Sequence, residues 1–193
     1  MRFAMLIGTL AVAAGLLVVL AGSGSAAATV LCEEDKNPCP AAYPVGTEIA
    51  GELRPGEKTL FTGFGDSCKA SNFTGKVTNA GGLTSTVTVA LTSLSWSGCG
   101  RAKEVLELGS LELHYQGESG YVALGTLSGL KYKDGFCTYT VVTGSNAGLR
   151  EPEGSSHARL DVETVATAPI CTNQTWEAIF TLTAPSPLYA SAS

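Results

Sequence analysis

The chain has 193 residues, of which 45% are hydrophobic and 15% are charged, and its formal net charge is −5. Acidic residues outnumber basic ones by 17 to 12, and no run of Lys or Arg forms a track for phosphates, which argues against nucleic acid as a partner. The two histidines, His114 and His157, are too few for a zinc site built on imidazoles, and neither an H-E-x-x-H nor a G-x-S-x-G motif is present. We therefore expect no cofactor, no metal and no recognisable catalytic set.

The first 28 residues are predicted to be a secretory signal peptide. Arg2 supplies positive charge, residues 3–21 are almost wholly apolar, and small residues follow as far as Ala28. Signal peptidase requires small side chains one and three residues before the cut, so cleavage after residue 26, 27 or 28 would start the mature chain near Thr29. The remaining residues, 29–193, have the length of a single secreted domain and can bury a hydrophobic core.

Two alternatives for this segment stay open. The apolar run is nearly long enough to span a bilayer, so the segment could be kept as an uncleaved anchor. Lipoprotein processing requires a small residue immediately before the modified cysteine, whereas Leu31 precedes Cys32. A membrane is therefore an expected partner only if the signal segment is not cleaved.

The stretch "CEEDKNPCP" is the densest group of reactive side chains. All of the cysteines lie after the signal, and an even number in an exported chain predicts disulfides. The gap between Cys32 and Cys39 fits neither paired zinc ligands nor a thiol oxidoreductase motif, so we interpret the stretch as a loop closed by a disulfide. The alternative is a calcium site on Glu33, Glu34 and Asp35, but three consecutive carboxylates on a tight loop diverge and no second ligand set is evident.

The other four cysteines are predicted to form two further disulfides. Cys68 is expected to join Cys99, and Cys137 to join Cys171, because the members of each pair lie at or beside predicted strands that could be neighbours. Spacing alone does not fix the connectivity of six cysteines, so this pairing is a hypothesis.

Beyond the signal, short runs of Val, Thr, Leu and Tyr are separated by Gly, Pro, Asn and Asp, without helical periodicity. This pattern predicts strands. The predicted strands cover residues 47–53, 58–64, 72–78, 85–96, 104–115, 121–132, 136–142, 158–167 and 175–183. We therefore predict an all-β fold, either a disulfide-stapled antiparallel β-sandwich or a flattened barrel, with about nine strands.

Side-chain alternation predicts which faces are buried. In "TWEAIFTLT" the apolar side chains at even positions share one face, which places Trp176 in the core. Trp96 is also expected in the core, which argues against a stacking platform for sugars on the two tryptophans. His114 shares a face with Glu112, opposite the apolar residues of its strand, and is expected at the surface.

Two long runs change phase partway. The apolar residues of 85–96 are odd-numbered as far as Leu91 and even-numbered from Leu94, which predicts a β-bulge near residues 92 and 93. In 104–115 the phase changes across Gly109. This change predicts a bulge or a bend, with Leu106 and Leu108 on the buried face before it.

Residues 143–157 form the longest segment without a strand pattern. Loops of that length inside compact domains tend to be functional, so this segment is the first expected place for a binding site. Arg150, Glu151, Glu153 and His157 provide varied polar groups on backbone that we expect to be exposed. The alternative is a solvated connection between two strands of a hairpin.

The acids Asp161 and Glu163 point to the same side of one predicted strand. At about 3.3 Å of rise per residue they would lie roughly 6 to 7 Å apart, close to the separation of a glycosidase pair. Adjacent acids on a wet strand face are common, so catalysis by this pair is kept as an alternative. The glycines of "GCGRAK" resemble a phosphate loop, but no helix follows, and we interpret the segment as a turn.

Both ends of the predicted mature chain resemble a known group of proteins. The opening "CEEDKNPCP" is followed by "YPVGTEI", and the chain closes with "TWEAIFTLTAPSPLY". These segments resemble an uncharacterised family of secreted, β-rich actinobacterial proteins with paired N-terminal cysteines and a C-terminal W-x-A-x-aromatic segment that ends at P-x-P-L-Y. The resemblance implies bacterial export and a disulfide-stapled β domain, and it transfers no activity to any residue.

We therefore predict an exported extracellular or cell-envelope β domain that acts by binding or as a structural component rather than as an enzyme. The sequence does not identify its partner, and a cell-envelope glycan or protein is the expectation. The alternative is a secreted hydrolase that uses the carboxylates of Asp161 and Glu163 on a polysaccharide. A third hypothesis is an inhibitor or toxin-like module that presents residues 143–157 to a protein partner.

Overall fold

The computed structural model describes residues 28–118, 121–150 and 157–192. Within these ranges the chain forms strands and one 3-10 turn, Thr62–Phe64, and no α-helix, so the all-β prediction is confirmed. The strands are β1 (Thr29–Cys32), β2 (Glu48–Leu53), β3 (Thr59–Phe61), β4 (Asp66–Cys68), β5 (Ala70–Gly82), β6 (Ser85–Ser97), β7 (Lys103–Glu107), β8 (Ser110–Glu118), β9 (Tyr121–Ser128), β10 (Lys131–Asp134), β11 (Cys137–Val141), β12 (Ser145–Arg150), β13 (Arg159–Ala168), β14 (Cys171–Ala184) and β15 (Tyr189–Ala192).

The predicted signal peptide falls on residues 1–28, of which all but the last lie outside the described residues. Its cleavage therefore stays a prediction. In the described ranges no helix is long and apolar enough to cross a membrane.

Eight strands close into an antiparallel barrel. They follow one another in the order β14, β2, β5, β6, β8, β9, β12 and β13, and β13 pairs with β14 to complete the ring. Between these last two strands Leu160 lies opposite Phe180 and Val162 lies opposite Ala178, so the inward positions of both strands are apolar. The predicted sandwich and the predicted count of about nine strands are therefore wrong, because the sheet closes on itself and carries further strands outside the ring.

The barrel is filled by its own side chains. Phe73 and Phe180 meet edge to face with ring centroids 5.1 Å apart, and leucines of β6, β8 and β9 pack around them. A cavity of about 20 Å³ among these side chains is lined by apolar residues. Eight strands enclose a space that side chains can just fill, and this cavity has the volume of about one water molecule.

Five strands outside the ring form a second structural unit, which we call the annex: β3, β4, β7, β10 and β11. The strands β13 and β14 extend beyond the barrel, and strands of the annex pair with these extensions. Trp176 on β14 pairs with Phe61 on β3, and Ala166 on β13 pairs with Val141 on β11. Its interior is an aromatic cluster with ring centroids 5.4 to 5.9 Å apart, made of Phe61, Trp96, Tyr132, Tyr139 and Trp176.

The predicted bulge near residues 92 and 93 is confirmed. Thr74 on β5 lies opposite Ser93, and Gly75 lies opposite Leu91, so Thr92 is the extra residue on β6. The bulge lets the apolar residues on both sides of it reach the interior, although they have opposite parity in the sequence.

The predicted strand 104–115 is divided at Gly109. Its first part, β7, pairs with β10 in the annex, and its second part, β8, pairs with β6 and β9 in the barrel. The bend changes the buried face, because β7 packs Val105 against the core. Leu106 and Leu108 are therefore 46% and 40% exposed, and their predicted burial is wrong.

The predicted loop over residues 143–157 is wrong over Ser145–Arg150. Ser145–Arg150 form β12, which pairs with β9 on one edge and β13 on the other and so completes the ring. The sequence "SNAGLR" has no β-branched or aromatic residue, so pairing on both edges rather than propensity makes it a strand. Residues 151–156, which include Glu151 and Glu153, lie outside the described residues.

All three predicted disulfides are confirmed. They are Cys32–Cys39, Cys68–Cys99 and Cys137–Cys171, with Cα atoms 5.9, 3.9 and 6.2 Å apart. The first closes a loop near the N-terminal strand. The other two belong to the annex, since Cys68 ends β4 and Cys137 begins β11.

Candidate functional site

An open cleft of about 560 Å³ lies on the outer wall of the barrel, and we call it the outer cleft. Four strands form its floor. One row of residues across them consists of Leu124 on β9, Gly148 on β12, Asp161 on β13 and Ile179 on β14. Because Gly148 has no side chain, the floor is lowest at β12. A second row places Glu163 directly opposite Glu177.

The carboxylate of Asp161 is held by two arginines. Its Oδ2 accepts hydrogen bonds from Nε of Arg150 at 2.9 Å and from Nη2 of Arg159 at 3.1 Å, and its Oδ1 accepts one from Nε of Arg159 at 2.9 Å. Charge-assisted bonds of this kind stabilise the ionised carboxylate. The predicted catalytic pair of Asp161 and Glu163 therefore contains one acid whose charge its own neighbours already offset.

Glu163 and Glu177 face each other across β13 and β14. Directly opposed side chains have Cβ atoms about 4.5 to 5.5 Å apart, a distance at which like charges destabilise a pair of strands. Of the residues that the structure describes, none forms an ion pair with either carboxylate. The pair therefore concentrates negative charge on the wall of the outer cleft.

The other residues predicted as possible sites lie elsewhere. His114 is on the outer face, 3.8 Å from Oε1 of Glu112, as predicted. His157 places Nδ1 3.1 Å from a backbone carbonyl oxygen of β14 and does not line the outer cleft. Trp96 and Trp176 are both buried, with ring centroids 5.5 Å apart, so their predicted core role is confirmed.

The N-terminal disulfide loop has a solvated surface. Glu33, Glu34 and Asp35 are exposed, and Glu34 forms an ion pair with Lys36 of the same loop. In the part of the chain that the structure describes, no group of three or more His, Cys, Asp or Glu residues could hold a metal ion.

A second group of charges, which the sequence analysis missed, lies inside the annex. Nζ of Lys103 lies 2.7 Å from Oδ2 of Asp66, 2.9 Å from Oδ2 of Asp134 and 4.3 Å from the centre of the Phe61 ring. The side chains of Lys103 and Asp134 are fully buried, and that of Asp66 is 8% exposed. We call Lys103, Asp66 and Asp134 the inner ion cluster. Charges buried in this way are tolerated only where they have close partners.

The two aspartates of the inner ion cluster have different sets of donors. Oδ1 of Asp66 accepts hydrogen bonds from the backbone N–H groups of Ser67 at 2.8 Å and Gly100 at 2.9 Å, and Oδ2 accepts one from Arg101 at 3.2 Å. Burial raises the pKa of Asp66, but Lys103 and the backbone donors outweigh this effect and hold its pKa below the ordinary value.

Asp134 has fewer donors. Gln174 donates from Nε2 to its Oδ2 at 3.0 Å, whereas its Oδ1 is buried and has no hydrogen-bond partner among the described residues. Tyr132 donates its hydroxyl to Oε1 of Gln174 at 2.8 Å and so fixes the orientation of the amide. Burial, with smaller effects from Tyr139 and Asp134, raises the pKa of Tyr132 well above its ordinary value, so the phenol stays a neutral donor.

The sequence contained a partial signal of the inner ion cluster. Asp134 has the same parity as the buried Tyr132, and Gln174 has the same parity as the buried Trp176. A polar side chain on the buried face of a strand indicates an internal polar partner. Lys103 gave no such signal, because the predicted strand began at residue 104 and did not include it.

Searches against protein-family models, curated proteins and solved structures find no match to this chain. The resemblance to secreted actinobacterial proteins therefore stays a prediction.

Proposed function

We propose that the chain is an exported, non-enzymatic binding module of the extracellular space or the cell envelope, and that the outer cleft is its ligand surface. The observation that carries this proposal is the opposed pair of Glu163 and Glu177. Two like charges on neighbouring strands lower the stability of a sheet, and sites kept for function commonly reduce stability in this way. The filled barrel interior supports docking on the outer wall.

The chemistry of the outer cleft favours a cationic ligand. Glu163 and Glu177 supply local negative charge, and the whole chain carries a formal net charge of −5. Leu124 and Ile179 add apolar surface to the same cleft, which suits the hydrocarbon stem of a lysine or an arginine. We infer that the ligand presents an ammonium or guanidinium group, as a basic segment of an envelope protein or an amino-bearing envelope glycan would.

The extracellular location is supported by the disulfides. Three of them hold a domain of this size, and the described residues include no free cysteine. Disulfides persist in oxidising compartments and are rare where thiols are kept reduced. The predicted signal peptide is consistent with the same location.

Binding to the outer cleft predicts a charge-dependent interaction. Titrating the folded domain with a lysine-rich peptide should shift NMR resonances of the cleft residues, and added salt should weaken the interaction. The double substitution Glu163→Gln and Glu177→Gln should weaken it by roughly tenfold or more, because contacts to charged groups contribute about 1.5–3 kcal/mol each.

The matched control is Glu57→Gln, which removes one exposed carboxylate from a turn on another part of the surface. This variant should bind like the wild type. Equal weakening by Glu57→Gln and by the single substitution Glu177→Gln, which each remove one negative charge, would mean that only net charge matters and that the outer cleft is not the binding site.

The same glutamates predict a gain in stability on neutralisation. Glu177→Gln should raise the free energy of unfolding by about 0.2–1 kcal/mol, because it removes repulsion between directly opposed carboxylates. Urea unfolding at low ionic strength measures the gain, and high salt should reduce it. A loss of stability in Glu177→Gln would show that the pair has a stabilising partner and would remove the observation that carries the proposed function.

The alternative, a carboxylate-dependent polysaccharide hydrolase, makes a different prediction for Asp161. If the wild type hydrolysed a polysaccharide from a panel and Asp161→Asn did not, the protein would be an enzyme rather than a binding module. The two arginines that hold Asp161 argue against its use as a free acid or nucleophile.

A further inference from the structure

The inner ion cluster brings an amine and a carboxylate together away from water. Lys103 on β7 and Asp134 on β10 are directly opposed in the sheet, both side chains are fully buried, and Nζ lies 2.9 Å from Oδ2. The Phe61 ring covers the amine at 4.3 Å and packs edge to face against Trp96 and Tyr132. Apolar rings therefore border the pair on the side of the core.

We propose that Lys103 and Asp134 condense inside the folded domain to form an amide cross-link, with Asp66 as the general base. Nζ of Lys103 lies 2.7 Å from Oδ2 of Asp66 and 2.9 Å from Oδ2 of Asp134, so an ammonium proton can pass directly to a carboxylate. The neutral amine that results is a nucleophile, and the sheet holds it against the carboxyl group with which it reacts.

The reaction is a condensation without oxidation or reduction. One proton of the Lys103 ammonium passes to Asp134, which gives a neutral amine and a neutral carboxylic acid. The lone pair of Nζ then attacks Cγ of Asp134 and forms the new N–C bond. Asp66 accepts a second proton from the nitrogen and passes it to the departing hydroxyl. The Cγ–O bond breaks, one water leaves, and Asp66 remains as the single negative charge of the cluster.

The hydrogen bonds identify Asp134 as the carboxyl group that reacts. Asp66 keeps its backbone donors from Ser67, Gly100 and Arg101 whether or not Lys103 is charged. Oδ1 of Asp134 has no partner in the described structure, so its departure as water leaves no donor unpaired.

The product would satisfy the remaining polar atoms. The other oxygen of Asp134 would accept the hydrogen bond of Gln174, which already reaches it at 3.0 Å. The new amide N–H would donate to Oδ2 of Asp66, 2.7 Å from Nζ. Condensation therefore removes two buried charges and one unpartnered oxygen.

The cross-link would hold β7, the last strand of the sheet, in place. Among the described strands, β7 pairs with β10 alone, so it is an edge that can separate from the annex. A covalent bond between the two strands would prevent that separation in an exported protein exposed to proteases. This proposal is independent of ligand binding at the outer cleft.

Mass spectrometry of the folded, disulfide-bonded protein, denatured and reduced just before measurement, tests the proposal. For its determined termini the chain should be lighter than the sequence mass by one water. Trypsin should cut after Lys131 but not after Lys103, and peptides 102–131 and 134–150 should appear joined through the two side chains. A full-mass chain with free Lys103 would overturn the proposal.

Three controls separate the cross-link from other losses of water. Asp134 precedes Gly135, and a succinimide at this step would have the same mass, but mild alkali opens a succinimide and leaves an amide intact. Lys103→Arg should keep the full mass, since it retains the cation and lacks the amine. The exposed pair of Lys131 and Glu107, 2.7 Å apart, should stay uncondensed in the wild type. Water loss that persists in Lys103→Arg would overturn the proposal.

Discussion

Lys103→Met should lower the free energy of unfolding by about 3–5 kcal/mol at neutral pH, because it leaves two buried aspartates without their shared cation. The energetic cost would be greater for Asp134 than for Asp66, since Asp134 would retain only the hydrogen bond from Gln174. The loss is expected whether the wild-type pair is ionic or condensed. Urea unfolding followed by tryptophan fluorescence measures it, because Trp96 lies in the aromatic cluster beside Phe61.

Lys131→Met is the matched control for this substitution. Lys131 also lies 2.7 Å from a carboxylate, that of Glu107, but the two side chains are 39% and 58% exposed. Exposed ion pairs contribute about 1 kcal/mol or less, so this variant should be almost as stable as the wild type. The double substitution Lys103→Met with Asp134→Asn should recover part of the loss, because the asparagine oxygen can still accept from Gln174. Equal stability of Lys103→Met and Lys131→Met would contradict a stabilising role for the inner ion cluster.

Features of the fold that depend on local pattern could be predicted from the sequence. The alternation around Trp176 identified the buried face of β14, and the change of parity between Leu91 and Leu94 located the bulge at Thr92. For both features the information lies within one strand. The pairing of Cys68 with Cys99 and of Cys137 with Cys171 was predicted because the members of each pair lie at or beside predicted strands that could be neighbours.

Features that depend on pairing between distant strands could not be predicted. The strand Ser145–Arg150 closes the ring, but its residues have weak strand propensity, and only its neighbours β9 and β13 hold it in place. The outer cleft could not be predicted for the same reason, since its floor is low where Gly148 pairs with Leu124 and Asp161 from other strands. No stretch of sequence shows that Glu163 and Glu177 will be opposed, because their register depends on the turn between β13 and β14.

Removing the Cys137–Cys171 disulfide by Cys137→Ser with Cys171→Ser should lower the free energy of unfolding by about 3–4 kcal/mol, because it releases a long loop in the unfolded chain. The two cysteines are 34 residues apart in the sequence. The folded state also depends on this bond, since β11 pairs with β13 through only two residue pairs. Near-UV circular dichroism should therefore lose the signal of the annex aromatics at lower urea than in the wild type.

The pair Cys32→Ser with Cys39→Ser provides the comparison. Its sequence separation is 7, for which loop closure predicts about 2 kcal/mol, and its loop lies at the surface away from the aromatic cluster. Asp134 and Gln174 each lie three residues from a cysteine of the annex bond, so that bond also positions the hydrogen bond between them. If both double variants lost equal stability, neither loop length nor attachment of the annex would explain the stabilising effect of the Cys137–Cys171 disulfide. A larger loss for Cys137–Cys171, together with weakened protection of the Gln174 amide from exchange, would show that the disulfide and the inner ion cluster stabilise one unit.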